Sequence, residues 1–108
     1  MNLDKPQTKH LTAVGKYQLK KPLTITISYD AEDKLFGAVN EELALFGYGE
    51  NETEALQSLE QELEGHLISY TAYPDPQHSK TSLELKKLLQ EHISIEEACI
   101  LLEEKYKK

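Results

Sequence analysis

The segment LTITISYDAEDKLFGAVNEELALFGYGENETEALQSLEQELEGHL, Leu23 to Leu67, decides the fold. It opens with Leu23, Ile25, Ile27 and Tyr29 alternating with Thr24, Thr26, Ser28 and Asp30. A period of two, rich in β-branched residues, predicts a half-buried strand with one wet face. Pro22 just ahead of it is acceptable at a strand start. Ala31 to Lys34 is a polar turn, and Leu35 to Asn40 (LFGAVN) predicts a second strand that returns as a hairpin. Glu41 and Glu42 form the next corner. Ala44 to Tyr48 predicts a third strand, which ends or bulges where Gly47 and Gly49 bracket Tyr48.

The period then changes. Asn51 followed by Glu54 is a capping-box-like helix start, and Glu52 and Glu54 suit the positive end of the helix dipole. Leu56, Leu59, Leu63 and Leu67 recur at spacings of 3, 4 and 4, one apolar stripe, while Glu60, Gln61, Glu62 and Glu64 fill the other faces. Gly65 inside this helix costs about 1 kcal/mol relative to alanine, which points to a close approach there. The helix should end near Tyr70, because Pro74 and Pro76 cannot continue it.

Upstream, His10 to Val14 before Gly15 predicts a short edge strand, and residues 1–9 a flexible basic arm. Downstream, residues 71–80 form a linker. Thr81 with Glu84 opens a second helix running to His92, and Ser94 with Glu97 opens a third. The third carries Ile95, Ala98, Cys99, Leu102 and Tyr106 on one side. The expected organisation is an arm (1–9), a sheet–helix domain (10–70), a linker (71–80) and a two-helix extension (81–108). Strands followed by helices make this an α+β fold, a three- or four-stranded antiparallel sheet covered by one long helix.

Composition narrows function. The 108 residues suit one domain on the prior of about 100–200 residues each. There are 19 acidic and 12 basic residues, every base a lysine, for a net charge of −7. Without arginine the chain lacks the forked donors that grip guanine and phosphate, and its acidity disfavours duplex DNA. The single cysteine, Cys99, excludes an intrachain disulfide and fits a reducing cytosol. Met1 to Gly15 has no apolar run for a signal peptide, and no stretch reaches the ~18 apolar residues of a membrane helix. A cytoplasmic protein with no membrane role is expected. Residues 1–22 carry a net +4 and residues 30–64 a net −10. Such a run is ordinarily a solvated face, but it can also steer a basic partner.

Catalytic patterns are missing. Asp30, Glu32 and Asp33 share one turn, and Glu60 and Glu64 one helix face, whereas two-metal chemistry needs carboxylates converging from several elements. His10, His66, His78 and His92 have no zinc spacing. His66 and His92 read as residues near helix C-termini, and Cys99 as an inert small core residue. No phosphate-binding glycine loop or nucleophile elbow occurs. No catalytic residue, metal or cofactor is therefore expected, and the protein is not expected to be an enzyme. The candidate protein-binding residues are Asp30, Glu32 and Asp33, with Tyr48, Tyr70 and Tyr73 as aromatic anchors if exposed. The alternative for these tyrosines is to cap the edge of the core.

Three stretches together resemble the HicB-like antitoxin family. They are the turn Asp33-Lys34-Leu35-Phe36, with Phe36 at the family's aromatic position, the corner Glu41-Glu42-Leu43, and the helix entry Gly49-Glu50-Asn51-Glu52-Thr53-Glu54-Ala55-Leu56. The likeness spans about residues 23–70. It departs from the family pattern where Lys34-Leu35 replace a double glycine, where Glu41 replaces a proline, and where Pro-Gly after the corner is absent. The resemblance implies a shortened ribonuclease-H-like fold that binds and neutralises a small basic ribonuclease toxin and usually dimerises. Family members often carry a ribbon-helix-helix or helix-turn-helix module for DNA. Here Lys80 to Lys108 holds as many lysines as glutamates and no arginine. Direct nucleic-acid binding is thus disfavoured, and the two helices are expected to pack on the core or form an oligomer interface. The reading reached is a non-enzymatic antitoxin-like module, a homodimer that pairs with a small basic protein. The competing reading is a stand-alone oligomeric domain with a structural or ligand-binding role and no toxin.

Overall fold

The computed structural model describes residues 6–72 and 79–106. Four strands, β1 (Gln7–Val14), β2 (Tyr17–Asp30), β3 (Leu35–Asn40) and β4 (Leu45–Gly49), precede three helices, α1 (Glu52–Ala72), α2 (Lys80–His92) and α3 (Ile95–Tyr106). The strands form one antiparallel sheet in the order β1-β2-β3-β4. The chain is therefore α+β, with four strands.

The alternation in β2 acts as anticipated. Leu23, Ile25 and Ile27 are buried in the core shared with the helices, while Thr24, Thr26 and Ser28 face away. β2 nevertheless starts at Tyr17, ahead of the alternating run. Its register with β1 passes from Leu11↔Leu23 to Ala13↔Gln18, so Leu19 to Pro22 has no ladder partner on β1. That irregularity accommodates Pro22, whose missing N–H would break a regular ladder. β1 likewise begins at Gln7, three residues before the expected start. Residues 7–9 of the supposed arm are thus sheet, Lys9 lying opposite Ile25, and residues 1–5 lie outside the described residues.

Three turns close the meander. Gly15, at φ +58°, provides the left-handed residue of the β1–β2 hairpin. Asp30 Oδ1 accepts from the backbone N–H groups of Glu32 (2.9 Å) and Asp33 (3.3 Å), an Asx turn leading to β3. At the β3–β4 corner, buried Asn40 accepts from Leu43 N (2.7 Å) and donates through Nδ2 to Thr24 O (3.0 Å). Leu43 is itself buried, so this corner plugs the core as well as turning the chain.

α1 is capped as the sequence suggests, with Asn51 Oδ1 accepting from Glu54 N at 2.8 Å. Glu54 reaches back to the N–H of Glu50, one residue before the usual capping-box donor. The buried stripe of α1 is Ala55, Leu59, Leu63 and Leu67, with Leu56 half-buried at its margin. Gly47 explains the small first residue. A Cβ there would lie 2.3 Å from Ala55 O and 2.4 Å from Leu59 N. The helix rests against bare strand backbone, with no room for a leucine at the contact. The close approach expected at Gly65 is found at Gly47 and Gly49 instead; a Cβ at Gly65 would meet nothing within 4 Å.

α1 continues to Ala72, slightly past Tyr70. α2 is capped by Ser79, whose Oγ accepts from Ser82 N at 3.1 Å, and not by Thr81. α3 starts after Ser94, whose Oγ accepts from Glu97 N (3.4 Å) as anticipated. Leu89, Ile93, Ala98 and Leu102 from the two-helix extension join the same core as Ile25 and Leu63. Each fully buried aliphatic side chain contributes about 1.5–3 kcal/mol relative to exposure. The extension is thus built into the sheet–helix core, α2 against β2 and α3 against α1. Among the described residues, no helix is long and apolar enough to cross a membrane.

Candidate functional site

All three helices leave one face of the sheet uncovered over β3 and β4. The cross-strand register aligns Thr8, Thr26, Val39 and Phe46 in one row, and Ser28, Gly37 and Tyr48 in the next. Phe46 is 44% exposed and Tyr48 60%, the most exposed aromatic side chains of the sheet. A Cβ on Gly37 would lie 3.7 Å from the Tyr48 ring, so that ring leans across the glycine of the neighbouring strand. Toward β1 the same face turns polar, with Thr8, His10 and Thr24, where Thr24 Oγ1 and His10 Nδ1 share a hydrogen bond at 3.2 Å.

Two shallow hollows flank Val39. One, of about 200 Å³, is lined by Ser28, Asp30, Asp33, Gly37, Val39 and Tyr48. The other, of about 380 Å³, is lined by Lys21, Thr26, Asn40, Glu41, Glu42 and His92 among others. Three of the expected binding residues, Asp30, Asp33 and Tyr48, therefore meet in one hollow. Glu32 is exposed in the same turn but does not line it. Tyr70 takes the second of its two expected places, at the edge of the core, and is not an exposed anchor. It is 7% exposed, and its hydroxyl donates to Ser82 O at 3.1 Å, tying α1 to α2. Tyr73 lies outside the described residues. Phe46 and Val39 were not singled out from the sequence. Period-two counting from Tyr48 back to Phe46 was the available signal.

Two polar clusters are centred on buried side chains. Glu64 is 3% exposed and accepts from Tyr17 Oη (2.6 Å), Lys105 Nζ (2.9 Å) and Tyr106 Oη (2.8 Å). Burial pushes its carboxyl up, but the hydrogen bonds from Tyr17, Lys105 and Tyr106 outweigh burial and hold it below its ordinary value. Burial first, then Glu64, raises the Tyr17 phenol. The bond to Glu64 leads the upward shifts of Lys105 and Tyr106. Every donor is engaged with the same carboxylate, which joins α1, β2 and α3. This is a structural bolt, with the carboxylate held ionised.

His92 ends α2 with its ring 3% exposed. Nδ1 lies 3.1 Å from Lys21 O, in the stretch of β2 that β1 leaves unpaired. A carbonyl only accepts, so this nitrogen donates, and His92 supplies the bond the ladder does not. Nε2 faces Glu42 Oε1 at 2.5 Å. The helix-terminal reading of His92 therefore stands, with a specific task added.

Cys99 is half-buried, and burial, then Glu103, raises its thiol, the opposite of nucleophile activation. Among the described residues, no group of three His, Cys, Asp or Glu side chains is placed to hold one metal ion. The arrangement that remains is an open apolar and aromatic strip with carboxylates at its ends. Compared with protein-family models, with curated proteins and with solved structures, the chain matches none of them.

Proposed function

We propose that this chain is a non-enzymatic, antitoxin-like protein-binding module that takes a small basic ribonuclease-type protein on the open face of its sheet. The observation that carries the reading is the exposed pair Phe46 and Tyr48, with Asp30 and Asp33 lining the same hollow as Tyr48. Exposed aromatics are the side chains that anchor interfaces, and neighbouring carboxylates select and steer a partner of opposite sign. The resemblance of about residues 23–70 to HicB-like antitoxins points to the same class of partner.

The charge of the face favours a basic partner over a second copy. The two hollows place Asp30, Asp33, Glu41 and Glu42 around the strip against Lys21. A face-to-face copy would set like charges against each other. Co-expression with the product of an adjacent gene for a small basic protein should yield a complex on co-purification. The complex should weaken as salt shortens the reach of exposed charges to about 8 Å near physiological ionic strength. Failure to bind that protein at low ionic strength sinks the reading. A stable dimer by light scattering, with no such partner, would favour the stand-alone oligomer.

A further inference from the structure

The two edges of the sheet are built differently. β1 carries Lys9 and His10 and breaks its register between Leu11 and Ala13. Charge and irregularity are the devices by which edge strands avoid unwanted pairing. β4, Leu45-Phe46-Gly47-Tyr48-Gly49, has neither charge nor proline. Its ladder with β3 runs unbroken from Phe36↔Gly49 to Asn40↔Leu45. An edge strand turns the N–H and C=O groups of alternate residues outward. Among the described residues, no hydrogen bond reaches β4 from that side. The apolar strip of the open face adjoins this same edge through Phe46 and Tyr48.

We infer that β4 is a strand-addition site for an extended segment of a basic protein. The inference rests on the reading above and specifies how the partner is held. Main-chain bonds to β4 supply affinity, and side chains on one face of the added strand lie beside Phe46 and Tyr48. Charge selects the occupant. Exposed Glu41 and Glu42 precede β4 and exposed Glu50 follows it, which matches a segment bearing lysine or arginine. A second copy pairing antiparallel through its own β4 would bring Glu50 of each chain toward the Glu41–Glu42 corner of the other, an arrangement of like charges.

The test titrates the isotope-labelled full chain with a blocked octapeptide of alternating lysine and valine, and separately with its glutamate–valine counterpart. Amide hydrogen exchange is read residue by residue. The basic peptide should slow exchange at alternate amides of β4 by about tenfold or more, leaving β1 unchanged, and the acidic peptide should not. Phe46→Lys, which places a gatekeeper charge on the edge, should abolish that protection without moving the unfolding midpoint. Protection at β1 instead, or no protection at β4 with either peptide, overturns strand addition. Either result leaves the basic-partner reading to be decided by co-purification. Protection of β4 that grows with protein concentration in the absence of peptide would make a second copy the occupant and also overturn the inference.

Discussion

The two faces of this sheet share strands and register but obey different rules. On the covered face, Ile25 and Ile27 are sealed in one core with Leu59 and Leu63, and Gly47 lets the helix backbone sit directly on β4. On the open face, Thr24, Thr26 and Ser28 stand in the same strand, and Gly37 lies beneath a tyrosine ring. The difference teaches where the fold is decided and where the surface is free to bind. Two glycines make the contrast measurable. Gly47→Val drives a side chain into α1 backbone that cannot swing aside. It should cost about 3 kcal/mol or more, at or beyond the upper end of overpacking, read as a collapse of the urea midpoint. Gly37→Ala places its methyl in ordinary contact with Tyr48 and should change stability by about 0.5 kcal/mol or less. Equal penalties at the two positions would erase the distinction between the faces.

Acidic residues divide in the same way. Asp30 and Asp33 line a solvent-facing hollow, whereas Glu64 is locked by three donors from two other elements. Glu64→Gln should destabilise by about 1–3 kcal/mol, because Tyr17, Lys105 and Tyr106 lose a charged acceptor. The pH dependence follows from the shifts. Glu64 is held below its ordinary value, so its contribution is present above the unfolded carboxylate pKa of about 4.3 and is lost as pH falls through the lower folded value. Tyr17 and Lys105 are raised, so their contributions are complete below about 10 and are lost as pH rises through the folded values. The Glu64→Gln variant should lose the acid-side slope owed to this carboxylate. Wild-type and variant curves that run parallel through the acid range would show that the bolt contributes nothing.

These clusters also mark the limits of what one chain of letters reveals. The alternation at Leu23 to Tyr29 and the Leu59, Leu63, Leu67 stripe are periodic signals, and periodicity survives any tertiary context. Glu64 reads with Glu60, Gln61 and Glu62 as filling the helix's other faces, yet it is buried at 3% exposure. Its donors, however, lie 41 to 47 residues away along the chain, and no local pattern connects them. The early start of β2 was hidden for a related reason. Lys20-Lys21-Pro22 breaks the strand pattern, and what makes it tolerable is a register jump plus a bond from His92, 71 residues away. On the candidate face, Asp30, Asp33 and Tyr48 were legible as types of residue. Their convergence depends on β2, β3 and β4 being adjacent. The sequence leaves Tyr70 open between anchor and core cap, because its spacing fits the helix's buried side and an exposed end equally well.

The two-helix extension belongs to the covered side, and its cap offers a smaller test. Ser79→Ala removes the oxygen that accepts from Ser82 N and should cost about 1 kcal/mol, the usual loss of an N-cap, while Thr81→Ala should cost less. The reverse order would return the cap to Thr81. Because Leu89 and Ile93 share the main core, the loss should appear in a single cooperative transition. A separate early transition for α2 and α3 would show the extension to be independent of the sheet.

A small effect on stability should come with a large effect on binding. Tyr48→Ser removes a mostly exposed ring that leans across Gly37, so the unfolding free energy should fall by about 0.5 kcal/mol. If the open face holds a basic partner, the same change should weaken that complex by about 1–2 kcal/mol, roughly five- to thirtyfold, as the loss of a central aromatic anchor does. Asp33→Asn, at the rim of the same hollow, should act instead on the association rate and its salt dependence, leaving dissociation nearly unchanged. The two variants therefore separate anchoring from steering on one surface. If Tyr48→Ser lowers stability as much as Glu64→Gln yet leaves partner affinity untouched, the ring serves the fold and the open face is not where the partner sits.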